Sequence, residues 1–171
     1  MKYILKLAGI LLLISALVAG LLGFVNQLTE QKIADNTAQK ANAAMQTVLP
    51  SPSYEKLEVA DERVTELYRG EGGYVVRLNA NGFGGTIDLM IGVGDDGTVT
   101  GVSVISHSET ASLGAECTRE DWRSQFIGAQ GELKVTKDGG SIDALTGATV
   151  TSRAVTAAVE LALEIVKEVV A

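Results

Sequence analysis

The sequence predicts an α+β protein: an N-terminal transmembrane helix followed by one domain in which an antiparallel sheet is packed by helices. Three observations carry this prediction. An uncharged apolar run opens the chain, an alternating apolar pattern flanks an Asp-Gly turn near its middle, and a helical apolar period fills Ser152 to Val170. Of the 171 residues, roughly 120 remain for a soluble domain, enough for one hydrophobic core.

The first element is the stretch from Leu7 to Val25, which carries no charge. A helix of that length rises roughly 28 Å, close to the hydrocarbon thickness of a bilayer. Lys2 and Lys6 precede it, whereas the flank from Asn26 to Lys32 has no net positive excess, so the positive-inside rule places the N-terminus in the cytoplasm. A cleaved signal peptide is the alternative, with Ala16, Leu17, Val18, Ala19 as a loose cleavage pattern. Against it, the apolar run is longer than the roughly 7 to 15 residues of a signal core. Residues 1–6 are then cytoplasmic, 7–25 span the membrane, and 26–52 form a polar, alanine-rich helical stalk stopped by Pro50 and Pro52. Residues 53–171 form the extracytoplasmic domain.

Within that domain Ile87, Leu89, Ile91 and Val93 alternate with Thr86, Asp88, Met90 and Gly92. Asp95, Asp96 and Gly97 then turn the chain into Val99, Val102 and Val104, which reads as a β-hairpin. Tyr74 to Leu78 predicts a neighbouring strand and Glu132 to Thr136 a short later one. Helical period appears around Arg119 to Ile127, where Trp122 and Phe126 stand four apart as core residues. It is stronger in the last helix, where Val155, Val159, Ala162, Leu163, Val166 and Val170 share a face.

Composition excludes several functions. The formal charge is −7, and because only Lys2 and Lys6 are charged before Asn26, the remainder carries 12 basic and 21 acidic side chains, or −9. Nucleic acid would repel such a surface. Cys117 is the only cysteine and His107 the only histidine, so this chain alone supplies neither a thiolate cluster for zinc or iron–sulfur nor a Cys-x-x-Cys redox pair. Electron transfer through it requires an organic cofactor.

Asp143, Ala144, Leu145, Thr146, Gly147, Ala148, Thr149 lead directly into the last helix. Unpaired N–H groups and the positive dipole end make a helix start favourable to phosphate, and Gly147 and Ala148 leave the approach to Thr149 uncluttered. Thr149 and Thr151 can equally serve as helix-capping hydroxyls. A second polar segment, His107, Ser108, Glu109, Thr110, then Leu113 and Gly114, follows the hairpin. Gly82, Phe83, Gly84 and Gly85 precede its first strand and read as a tight turn or a close backbone approach.

The spelling Asp-x-x-Thr-Gly-Ala-Thr resembles the flavin-attachment motif of FMN-binding subunits of membrane electron-transfer complexes. Together with His-x-Glu-Thr, Leu-Gly, the Gly-Phe-Gly-Gly element and the anchor, it makes nearly the whole chain similar to the G subunits of Rnf-type ion-translocating complexes. Ala111 and Ser112 stand where that family usually has Pro-Gly. The resemblance implies FMN joined to Thr149 by a phosphoester, with Thr146, Gly147 and Ala148 beside it. It implies Asp143 as a recognition residue for a separate flavin transferase. It also places His107, Glu109, Thr110, Leu113 and Gly114 against the flavin: Glu109 and Thr110 as hydrogen-bonding groups, Leu113 on the ring face.

The implied function is an electron relay among other membrane subunits of a complex coupling ferredoxin and NAD oxidoreduction to ion pumping. No Gly-x-Gly-x-x-Gly loop follows a predicted strand, in keeping with a chain that does not itself bind NAD. The C subunits of sodium-pumping NADH:quinone oxidoreductases share the loop and anchor but are typically longer. A stand-alone anchored flavin reductase and an anchored ligand-binding domain without covalent flavin are the remaining alternatives.

Overall fold

A computed structural model describes residues 2–59, 61 and 63–170. The chain divides into two compact units, Met1–Gln39 and Lys40–Ala171. Helix α1 runs over Lys2–Val48. Its first half is long and apolar enough to cross a membrane. Leu11, Leu12, Leu13, Leu17, Leu21 and Phe24 are all exposed there, pointing in every direction around the axis. A helix apolar on all sides needs an apolar surrounding, which a bilayer supplies.

The second unit is built on a five-stranded antiparallel meander: β1 (Glu55–Leu57), β2 (Val64–Gly70), β3 (Gly73–Asn81), β4 (Thr86–Gly94) and β5 (Val99–His107), in that spatial order. The β4–β5 hairpin turns where the sequence places it. Gly97 adopts a positive φ of 75°, and Asp96 Oδ1 accepts from the Thr98 N–H at 3.0 Å, closing an Asx turn. Helix α2 (Glu120–Arg123) is one turn between two 3₁₀ segments, and α3 (Thr149–Val170) is the long C-terminal helix.

Both faces of the sheet are covered, and the alternation in β3 and β4 sorts residues between them. Val76, Leu78, Ile87, Leu89, Ile91 and Val93 pack against Val155, Val159, Ala162 and Val166 of α3 and against Trp122 and Phe126. The two aromatic rings meet edge to face, 5.4 Å apart at 81°. On the other face Val75, Met90 and Ile105 meet Ala41, Ala44 and Val48 from the last turns of α1 and Leu49 just after it. Gly92 and Gly101, paired across β4 and β5, let that helix end lie flat on the sheet. A Cβ on Gly92 would stand 2.3 Å from the Val48 carbonyl oxygen. The Thr100 hydroxyl donates to the same carbonyl at 2.5 Å. The stretch expected as a stalk over 26–52 therefore ends, from Lys40 onward, inside the compact unit.

Two local expectations change. Glu132 to Thr136 forms no strand: a single parallel bridge joins Val135 to Ile142, and Thr136–Asp138 is a 3₁₀ turn. Leu133 and Val135 are buried on one side, as in a strand, but the chain turns back at Gly139 (φ 84°) before a ladder can form. The helix expected around Arg119 to Ile127 is broken into α2 and a 3₁₀ turn, Ser124–Phe126, and ends before Gly128 at φ 78°.

Candidate functional site

Four segments meet at the start of α3: the Gly82–Gly85 turn between β3 and β4, the loop from His107 to Gly114 after β5, the turn around Lys137, and the loop from Asp143 to Thr149. Glu109 joins its own loop to the glycine turn and to α3. It is only 8% exposed. Its Oε1 accepts from the Gly84 N–H at 2.9 Å and its Oε2 from the Thr151 hydroxyl at 2.6 Å. The glycines around it leave the room this carboxylate needs: a Cβ on Gly82 would stand 2.0 Å from Oε1 and one on Gly114 2.1 Å from Oε2. A buried carboxylate of this kind is tolerable only because each oxygen has a donor. His107, the last residue of β5, accepts the Glu109 N–H at Nδ1 (3.2 Å) and so shapes the loop entry.

Beyond Glu109 the loop is open. Thr110 is exposed, its carbonyl accepting from the Ala115 N–H at 3.1 Å, and Ser112 takes a positive φ of 61°, a conformation that only glycine adopts without strain. Leu113 is 43% exposed and lies over Gly147: its Cδ2 would be 3.0 Å from a Cβ placed there. The loop after the hairpin thus reaches the loop before α3 at Leu113–Gly147 and at Glu109–Thr151.

Asp143 to Thr149 is fastened from beneath. Trp122 Nε1 donates to the Asp143 carbonyl at 2.7 Å, and the Asp143 N–H donates to Gln125 Oε1 at 2.7 Å, which leaves the Asp143 side chain at the surface. Leu145 is buried, and its N–H donates to Ser152 Oγ at 2.9 Å. That hydroxyl donates in turn to the Ala148 carbonyl at 2.9 Å. Gly147 supplies the left-handed turn, φ 75°, that brings the chain into the helix. Thr146 and Gly147 are exposed, Ala148 is buried, and Thr149 is half-buried as the first residue of α3.

The three threonines of this stretch are therefore not equivalent. Thr151 is fully buried and committed to Glu109. Thr149 is reachable, and its Oγ1 accepts from Lys137 Nζ at 2.8 Å. Both side chains are engaged by other side chains instead of closing the helix end. Sequence reasoning missed Lys137 and Ser152 and read Thr151 only as a helix cap, because Lys137 lies one residue past the segment expected as a strand and the other two belong to a helix read for its apolar face.

Beside Lys137 the turn also carries an ion pair to α3. Arg153, one helical turn after Thr149, donates through Nε and Nη2 to Asp138 at 2.6 Å each. Its guanidinium holds the Asp138 carboxyl below the usual carboxylate range. Behind the site, burial and the nearby Glu109 charge push the Cys117 thiol up to about 11, so it stays protonated and unreactive at neutral pH.

Comparison with known proteins places the chain in a family. The FMN-binding domain family matches residues 82–164, which span the glycine turn, the Glu109 loop and Thr149. The RnfG N-terminal region matches residues 1–48, the whole of α1. The G subunit of the Na(+)-translocating ferredoxin:NAD(+) oxidoreductase complex of Acetobacterium woodii is 33% identical over 96% of this chain and 92% of its own length. The G subunit of the ion-translocating oxidoreductase complex of Methanosarcina acetivorans is 35% identical over 96% and 95%. The chain belongs to the RnfG family, the G subunits of ion-translocating oxidoreductase complexes. A family member from Clostridium ljungdahlii, out of a complex named as proton-translocating, is 43% identical over 53% of this chain and 51% of its own. With family membership comes an FMN-binding domain, and the matched stretch begins at Gly82, the first of the glycines that seat Glu109.

The residues present suit FMN. A reachable hydroxyl and a lysine ammonium stand together at Thr149 for the phosphate end. Phe83 (75% exposed), Leu113 and Val150 (48%) supply apolar surface on the segments around it for a ring system.

Proposed function

We propose that this chain relays electrons within an Rnf-type membrane complex through FMN held covalently on Thr149. The observation that carries the attachment site is the contrast at the start of α3: Thr149 is reachable and beside a cation, whereas Thr151 is buried and bound to Glu109. Family membership and the FMN-binding domain support the relay. The flavin, once bound, supplies one- or two-electron chemistry.

The protein's own residues hold and shield. Thr149 is the tether, and the exposed neighbours Thr146 and Gly147 leave space for the ribityl chain. Leu113 and Phe83 offer apolar contact to the ring. Glu109 acts from below, fixing the Gly82–Gly85 turn to α3 so that both sides of the site keep their spacing. The exposed Asp143 side chain, on a backbone pinned by Trp122 and Gln125, is a rigid landmark suited to recognition by a flavin transferase. In the transfer the Thr149 oxygen bonds to the FMN phosphorus of FAD, the pyrophosphate bond breaks, AMP leaves, and the threonine proton is lost. With Lys2 and Lys6 on the cytoplasmic side, the domain sits outside, where a tethered flavin is not lost by diffusion.

Coexpression with a flavin transferase should add the mass of one FMN less water to the peptide containing Thr149, as read by tandem mass spectrometry. An unmodified peptide in the presence of active transferase sinks the attachment reading. Co-purification with other membrane subunits, and little turnover by the chain alone, separates a relay from a stand-alone reductase.

A further inference from the structure

We infer that Lys137 is the counter-ion of the phosphodiester on Thr149 and the residue that positions the Thr149 hydroxyl for the transfer; this rests on the attachment reading above. The side chain is held in place by its turn. The Thr136 N–H donates to the Ile142 carbonyl at 2.8 Å, and the Asp138 and Gly140 N–H groups donate to the Val135 carbonyl at 2.8 and 3.1 Å. Gly140 packs so closely that a Cβ would stand 1.9 Å from the Lys134 carbonyl oxygen. Lys137 and Asp138 thereby face successive turns of one side of α3, meeting Thr149 and Arg153, which are four residues apart.

Neighbouring cations are already committed. Arg153 is bound through two nitrogens to Asp138, and Lys134 is paired with Glu132. Among the described residues no carboxylate forms an ion pair with Lys137, which donates to a neutral hydroxyl instead. A diester formed at that oxygen places a negative charge two bonds from the atom Lys137 touches, in a domain whose net charge is otherwise acidic. The flexible lysine stem reaches either non-bridging oxygen.

The same contact orders the attacking group. A hydrogen bond received from Lys137 occupies one lone pair of Oγ1 and fixes its direction, leaving the other for the phosphorus. As the oxygen–phosphorus bond forms and AMP departs with the electrons of the broken pyrophosphate bond, the ammonium stands beside the phosphoryl oxygens. The hydroxyl proton leaves to solvent or to a base of the transferase.

The test uses the full-length chain in detergent with purified transferase, FAD and magnesium, comparing wild type with Lys137→Met and Lys137→Arg. Expected are an attachment rate roughly tenfold lower for Met and recovery towards wild type for Arg. On the loaded chains, Met should show a moved ³¹P resonance and lower flavin fluorescence anisotropy. Lys137 is exposed, so thermal melting should not change. A Met variant loaded on Thr149 at the wild-type rate, with the same ³¹P shift and anisotropy, overturns the role of Lys137 and leaves the attachment reading intact. Equal loss in Met and Arg overturns the charge role. A wild-type chain that takes up no flavin overturns both readings.

Discussion

Two hydroxyls two residues apart, Thr149 and Thr151, show how one helix start divides its work. Thr151 points into the protein and closes a buried network with Glu109 and Gly84. Thr149 points out, to an exposed lysine. A buried carboxylate is expensive to leave without donors, so the first network holds the fold; an exposed ammonium–hydroxyl pair is nearly free to break, so the second is available for chemistry.

The sharpest way to break this comparison is to exchange the outcomes. Thr149→Ala should abolish flavin attachment while stability stays within about 0.5 kcal/mol. Thr151→Val should keep attachment and lose about 1 to 2 kcal/mol, because Glu109 loses a donor. Chemical denaturation beside intact-mass measurement reads both; attachment surviving in the Thr149 variant would mean the two roles are misassigned. Larger still for the fold is Glu109→Ala, which strands the Gly84 N–H and the Thr151 hydroxyl and opens a cavity. We expect a loss of about 3 kcal/mol, with the flavin still attachable to whatever fraction is folded.

A smaller effect comes from pH. The unfolded Cys117 thiol ionises near 9.0 and the folded one near 11. Between those values the unfolded chain has released a proton that the folded chain keeps, so stability falls as pH rises through the window. The contribution is at most about 3 kcal/mol and is absent below the lower value. Cys117→Ala should flatten that alkaline slope. Smallest is Arg153→Ala: both partners of its pair with Asp138 are solvent-exposed, and melting temperature should not move measurably at physiological salt. A clear loss there would show that the surface turn around Lys137 bears on the fold after all.

Much of the fold was readable because its signals are local. The β4–β5 hairpin follows from alternation about Asp96-Gly97, α3 from its apolar period, and the spanning helix from a run without charge. β1 and β2 went unread: β1 has only three residues, and β2 mixes Thr65, Glu66 and Arg69 among its apolar positions. Arg77 ties β2 to β4 by pairing with both Glu66 and Asp88, a cross-strand arrangement no single segment displays. The site was legible in the same partial way. The motif ending at Thr149 stands out as a string of residues, whereas Lys137 lies twelve positions earlier, in a turn just past the segment expected as a strand.

By itself the sequence determined the apolar anchor, the α+β class, the hairpin, the final helix and the loop in front of it, since each rests on periodicity or turn chemistry within a few residues. Only the tertiary structure decided that the end of α1 lies on Gly92 and Gly101, and that Glu109 is a buried tie between loops. It alone buried Thr151 against Glu109 and brought Lys137 to Thr149. Those facts depend on which side chains meet after the sheet and helix pack, and burial and long-range pairing leave no mark in the spacing of the residues that take part.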